Sequence, residues 1–229
     1  MKAILIFIVI ILFAGISSAD ELKDLPIVEV SGNSGEGQLF AVMISGDGGW
    51  ASIDRDVSGV LASNGIPVVG LNSLKYFWKH RSPEECAADL SIIITHYMKL
   101  WKKEEVILIG FSFGADVLPF MATRIPYEQF RRVPLIVMLS PGEKADFEFH
   151  VMNWFSSVSD NDSRAILPEL AELKGKKLLC FAGEEETESL CFRLEDKFGK
   201  RIIMPGGHHY NGQYEKIASI IMKELQFIY

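Results

Sequence analysis

The sequence predicts an α/β fold in which a mostly parallel central sheet is covered by helices on both faces. Two observations carry that expectation. Short apolar runs rich in β-branched residues alternate along the chain with helical patterns, the order that builds parallel sheets. One such run, Glu105-Val106-Ile107-Leu108-Ile109, passes without a linker through Gly110-Phe111-Ser112-Phe113-Gly114 into a helical pattern, so a buried strand turns abruptly into a helix at a serine.

The elements follow in order. Lys2, an unbroken apolar stretch over residues 3–16 and the small residues Ser17-Ser18-Ala19 read as an export signal cleaved before Asp20. The competing reading is an uncleaved anchor, but these 14 residues fall short of the ~20 that cross a bilayer. Removing the first 19 of 229 residues leaves 210, which fits one α/β domain over residues 20–229. Strands are expected at residues 27–30, 39–44, 67–71, 106–111, 135–139, 177–181 and 201–204, because each run is apolar and bounded by turn residues. Helices are expected at 54–63, 83–101, 113–123, 163–173, 189–198 and 213–225. In the second of these, Cys86, Leu90, Ile93, Ile94, Tyr97, Leu100 and Trp101 recur at helical spacing and mark one apolar face. Gly32 to Gly37 reads as a turn joining two antiparallel edge strands. The long connection 141–162, with Phe147, Phe149, Trp154 and Phe155, reads as an extra edge strand packed on the domain or as a cap over the site.

Formal charge is −7. That balance gives no electrostatic ground for a nucleic-acid partner and favours a cationic group on any substrate, although it also serves solubility. Three cysteines in an exported chain leave room for one disulfide. Cys180 and Cys191 are the pair favoured by position, flanking the acidic loop, and Cys86 is left as a buried thiol. Cysteine and histidine spacings offer no zinc site, and no cofactor or metal is called for.

The glycines around Ser112 make this stretch a candidate nucleophile elbow. A serine hydroxyl needs an imidazole to take its proton and an anion to hold that imidazole, supplied in the chain order serine, acid, histidine. Among five histidines, His208 and His209 follow a late strand in Pro205-Gly206-Gly207-His208-His209. His208 is preferred as the base because the glycine pair turns the chain sharply off the strand end, and His209 remains the alternative. The acid must come from Gly183-Glu184-Glu185-Glu186-Thr187-Glu188, where Glu186 is preferred and Glu188 is the runner-up. Charge developing on the attacked carbonyl oxygen needs amides already in place. Phe113 is one candidate donor, and Asp47 and Gly48 in Ser45-Gly46-Asp47-Gly48-Gly49-Trp50 are the others. A phosphate-cradling role for that loop is disfavoured because it lacks the lysine of a P-loop. Tyr76, Phe77 and Trp78 fall past a strand end and read either as pocket-lining or as packing aromatics. Asp116, one turn beyond Ser112, reads as a partner for Arg81 or for a substrate cation.

Four stretches resemble the VirJ/AcvB family of bacterial virulence proteins: Ser45 to Trp50, Gly70-Leu71-Asn72-Ser73-Leu74-Lys75-Tyr76-Phe77-Trp78, Gly110 to Pro119, and Gly206-Gly207-His208-His209-Tyr210. The resemblance implies an exported, mainly periplasmic protein of α/β-hydrolase fold linked to virulence and type IV secretion. It also implies hydrolysis of the aminoacyl ester of aminoacylated phosphatidylglycerol, notably the lysyl form, with peripheral membrane contact. The chain departs from the family pattern at Tyr210-Asn211, where Phe-Asp is usual, and at Glu188, where an aspartate is often found. These departures leave the acid open between Glu186 and Glu188. The alternative function is a non-catalytic protein that binds secretion components or exported substrates on a hydrolase scaffold.

Overall fold

The computed structural model describes residues 22–32, 37–148, 163–173 and 175–228. The expected leader, and the expected packing of Phe149, Trp154 and Phe155, lie outside the described residues. Seven strands form the central sheet: β1 (Ile27–Val30), β2 (Leu39–Ile44), β3 (Val68–Leu71), β4 (Glu105–Phe111), β5 (Leu135–Leu139), β8 (Lys177–Gly183) and β9 (Lys200–Met204), in the order β1-β3-β2-β4-β5-β8-β9. All neighbours run parallel except β1 against β3. Lys144–Ala145 (β6) and Arg164–Ala165 (β7) pair antiparallel as a separate ribbon.

Strands β2, β4 and β5 are buried almost end to end, which is why they read as continuous apolar runs. Alternate residues serve opposite faces. Phe40, Val42 and Ile44 join Leu90, Ile94 and Tyr97 of α3 (Pro83–Trp101), whereas Ala41 and Met43 join Val57 and Leu61 of α1 (Ser52–Ser63) and Ile217 and Ile221 of α7 (Tyr214–Gln226). The helix α3 starts with a capping box in which Ser82 and Glu85 bond each other's backbone amides, and Pro83 occupies the first turn. It ends where Lys102 turns left-handed at φ 53. The remaining helices are α2 (Ser73–Tyr76), α4 (Phe113–Ala122), α5 (Tyr127–Phe130) and α6 (Ile166–Leu170).

Three expectations need correction. Strands β1 and β2 do not form a hairpin: β1 pairs with β3, Ile27 opposite Leu71, and Gly32 leaves the strand hard against the Ala62 carbonyl at the end of α1. The helix expected over 189–198 is one 3₁₀ turn, Leu190–Arg193, because Cys191 is bonded to Cys180 of β8 and the Leu190 amide is taken by the Pro141 carbonyl. The helix expected over 163–173 is shortened by the ribbon, which takes Arg164 and Ala165 before α6 begins. In the long connection, Lys144–Ala145 is an added strand, and Phe147 is buried against Phe77 and Phe120.

Candidate active site

Strands β2, β3, β4, β5, β8 and β9 point their carboxyl ends the same way, so the loops that follow them gather along one edge. Ser112 stands there between β4 and α4 at φ 52 and ψ −122, a left-handed backbone that a residue with a Cβ seldom holds. The two flanking glycines make it feasible. A Cβ on Gly110 would lie 2.4 Å from the Gly114 carbonyl oxygen, and one on Gly114 would lie 2.2 Å from that of Ile44. Either methyl would push helix and strand apart and carry Ser112 with them.

His208 arrives from the loop after β9. Its Nε2 lies 2.8 Å from Ser112 Oγ, and its Nδ1 lies 2.6 Å from Glu186 Oε1. A carboxylate only accepts, so Nδ1 carries the proton and Nε2 is left bare to accept the serine O–H. The bonds to Ser112 and Glu186 are made by His208, not His209, whose ring packs edge-on to His208 and on Phe111, with centroids 5.5 and 5.7 Å apart. Glu188 is exposed on the rim of the same cleft, while Glu186 makes the contact to His208. Burial alone would raise the Glu186 carboxyl; bonds from His208, the Gly183 amide and Ser140 reverse this and hold it below the usual range. The Cys180–Cys191 disulfide closes the loop that contains Glu186, and Cys86 is a buried free thiol.

The loop after β2 forms a tight turn, with Gly49 N–H donating to the Gly46 carbonyl at 3.0 Å and Asp47 and Gly48 exposed at its tip. Gly46 lies next to the serine, since a Cβ on it would come within 3.4 Å of Ser112 Cβ. Phe113 opens α4, so its amide lies in the first turn, where no intrahelical carbonyl can reach it.

A cleft of about 460 Å³ opens beside Ser112 and His208, lined also by Asp116, Gly142, Glu185 and Glu188. Asp116 is half-buried in its wall, with Oδ1 2.7 Å from the Gly142 amide nitrogen. Burial, with Asp146 and Asp47 nearby, pushes its carboxyl well above the usual range against that one hydrogen bond. Arg81 is not its partner: that guanidinium bonds Asp89 at 3.3 Å and lies over the Tyr76 ring. The three aromatics after β3 separate. Phe77 is fully buried against Phe113 and Tyr76 is 2% exposed, so both pack the core, whereas Trp78 is 61% exposed. Trp78 lines a second cleft with Leu74, Lys75, Lys79 and Arg81 after β3, on the same sheet edge with the strand β2 between it and β4.

Sequence reasoning missed Ser140. It follows β5 directly, is 3% exposed and donates to Glu186 Oε2 at 2.7 Å. The available signal was a polar residue at the carboxyl end of a buried strand, the same position that singles out Ser112.

A family model described as bacterial virulence protein (VirJ) matches residues 38–228, and the chain belongs to that family. No curated protein sequence matches it. Among solved structures it is similar to Est1E from Butyrivibrio proteoclasticus, with TM-score 0.61 and 13% identity over 87% of this chain and 93% of that one. It is similar also to the Pyrococcus furiosus esterase Pf2001, with TM-score 0.59 and 14% identity over 90% and 92% of the two chains. MenH from S. aureus gives TM-score 0.57 and 12% identity over 88% and 98%. The fold is that of the α/β hydrolases.

Proposed function

We propose that this member of the VirJ family is an exported serine ester hydrolase that cleaves the aminoacyl ester of an aminoacylated phosphatidylglycerol such as the lysyl form. The observation that carries the reading is the unbroken line from Ser112 Oγ through both His208 nitrogens to Glu186, at 2.8 and 2.6 Å. Ser112 Oγ attacks the ester carbonyl while His208 Nε2 takes the serine proton, and Glu186 steadies the imidazolium. The carbonyl oxygen becomes an oxyanion, received by the Phe113 amide and by Asp47 or Gly48 of the turn after β2. Collapse breaks the bond to the glycerol oxygen, which takes the proton from His208. Water then adds to the acyl-serine with His208 again as base, releasing the amino acid and restoring Ser112.

Two features favour an aminoacyl phospholipid over a neutral ester. The cleft beside Ser112 carries Asp116, Glu185 and Glu188, which suit an ammonium group on the acyl part. The second cleft, after β3, carries Lys75, Lys79 and the exposed Trp78, which suit a phosphodiester at a membrane surface. Placement in the periplasm, with the mature chain starting at Asp20, and a link to type IV secretion belong to the same proposal.

A fluorophosphonate probe is expected to label the wild type and not Ser112→Ala. Lipid extracts of a Ser112→Ala strain are expected to accumulate aminoacyl phosphatidylglycerol. Labelling with unchanged lipids would keep the hydrolase and remove the substrate. A Ser112→Ala strain with a full wild-type phenotype would instead favour the non-catalytic binding role.

A further inference from the structure

Glu186 spends one carboxylate oxygen on His208, and the other is held as firmly. Oε2 lies 2.6 Å from the Gly183 amide nitrogen and 2.7 Å from Ser140 Oγ. Ser140 Oγ in turn lies 2.6 Å from the hydroxyl of Tyr210, a side chain with no exposed surface. The protons in this chain can be assigned by counting. The carboxylate accepts only, so the one hydroxyl proton of Ser140 goes to Glu186; Ser140 Oγ then accepts from Tyr210 O–H at 2.6 Å, the Phe181 carbonyl being a more distant acceptor for that hydroxyl at 3.3 Å. Burial pushes the Tyr210 phenol up, so it keeps its proton and stays a donor. Both residues also hold left-handed backbones, Ser140 at φ 51 and Tyr210 at φ 50, conformations that concentrate where a site over-determines them.

We propose that Ser140 and Tyr210 are positioning residues of the hydrolase reaction, a buried hydroxyl relay that fixes Glu186 Oε1 on His208 and keeps the carboxylate charged. The inference rests on the reading of Ser112, His208 and Glu186 given above. The relay touches no substrate and acts through the acid alone. Among the described residues, the titratable groups acting directly on Glu186 are His208 and Tyr210. Loss of the Ser140 hydroxyl removes one of the donors that keep Glu186 ionised, and leaves Oε2 held by the Gly183 amide alone, so that the carboxylate is less firmly aimed at the imidazole.

The test is the pH profile of p-nitrophenyl acetate hydrolysis and of fluorophosphonate labelling for the wild type, Ser140→Ala, Ser140→Gly and Tyr210→Phe, each with its Tm. Ser140→Ala and Ser140→Gly are expected to lose about 10- to 100-fold in kcat with KM little changed. The acidic limb of kcat/KM should move up by about one pH unit. Tyr210→Phe should lose roughly threefold, its limb moving the same way. Ser140→Gly separates function from folding, because glycine tolerates the positive φ and should hold or raise Tm while the rate falls. An acidic limb that stays in place in all three variants overturns the relay, whatever happens to rate or Tm. A folded wild type that neither labels nor turns over removes the hydrolase reading and the relay with it; an active wild type with unaltered variants removes the relay alone.

Discussion

Two carboxylic acids flank Ser112, and their surroundings drive them in opposite directions. Glu186 receives hydrogen bonds from His208, the Gly183 amide and Ser140, and is held below the ordinary range. Asp116 receives one, from the Gly142 amide, faces Asp146 and Asp47, and is pushed well above it. Burial raises both, so the balance is set by the three donors around Glu186, the imidazole among them, and by the neighbouring carboxylates at Asp116. In the proposed reaction the first would supply a fixed anion behind the base, and the second an acyl-side group whose charge a substrate cation would call up.

The contrast breaks most sharply on substitution. Glu186→Gln should lower kcat by about 10⁴-fold, because the amide can present its N–H to Nδ1 and hold the wrong tautomer, whereas Asp116→Asn should leave turnover of a neutral ester within about threefold. Steady-state kinetics on p-nitrophenyl acetate check both, and similar losses in the two variants would dissolve the distinction. On a lysyl ester, Asp116→Asn should cost about tenfold in kcat/KM relative to a neutral ester of the same length, the worth of one charge-assisted hydrogen bond. The ratio of the two substrates, measured in both proteins, is the readout.

The two sides also differ in tethering. Glu186 lies inside a loop closed by Cys180 and Cys191, 11 residues apart, while Asp116 rides on a helix. Reducing the bridge, or Cys180→Ser with Cys191→Ser, should cost about 3 kcal/mol and lower Tm by roughly 6 to 12 °C. The accompanying loss of activity should exceed any change in Asp116-dependent selectivity.

Stability against pH separates the acids more gently. The folded value of Glu186 lies below its unfolded one, so its stabilisation is complete above about pH 4.5 and is lost as pH falls through the folded value. Asp116 is raised, so its burial is least costly below 3.8 and penalises the fold increasingly as pH climbs through the raised value. Asp116→Asn should therefore gain a few degrees of Tm at pH 8 and lose the gain by pH 4, about 1 kcal/mol being worth 2–4 °C in a chain of this size. Glu188→Gln, on the exposed rim, should change neither the rate on neutral p-nitrophenyl acetate nor Tm by more than about twofold or a degree.

What the sequence made legible follows the same division. Buried strands announce themselves by apolar runs and α3 by its 3.6-residue periodicity, because burial is written locally. Ser112 was legible for a related reason: glycines at 110 and 114 are a local steric requirement. Choosing Glu186 over Glu188, or His208 over His209, turns on which of two neighbouring side chains faces inward, and an acidic run or a histidine pair has no apolar period to say so. Ser140 showed only as a polar residue at a strand end, because its role depends on β5 lying beside β8, a fact of sheet order rather than of spacing. The 3₁₀ turn at Leu190–Arg193 was misread as a helix because a covalent bridge and a Pro141 carbonyl outrank local propensity.

The sheet has two unlike margins. At one, β1 runs against its neighbour and closes the array; at the other, β9 ends it with Lys200 and Arg201 at its start and Ile203 42% exposed. A second molecule adding itself there would have to crowd Lys200, paired with Glu224, and Arg201, bonded to the Phe192 carbonyl, beside its own backbone. Long charged side chains along that open margin act against edge-to-edge pairing, as they do on other exposed strands.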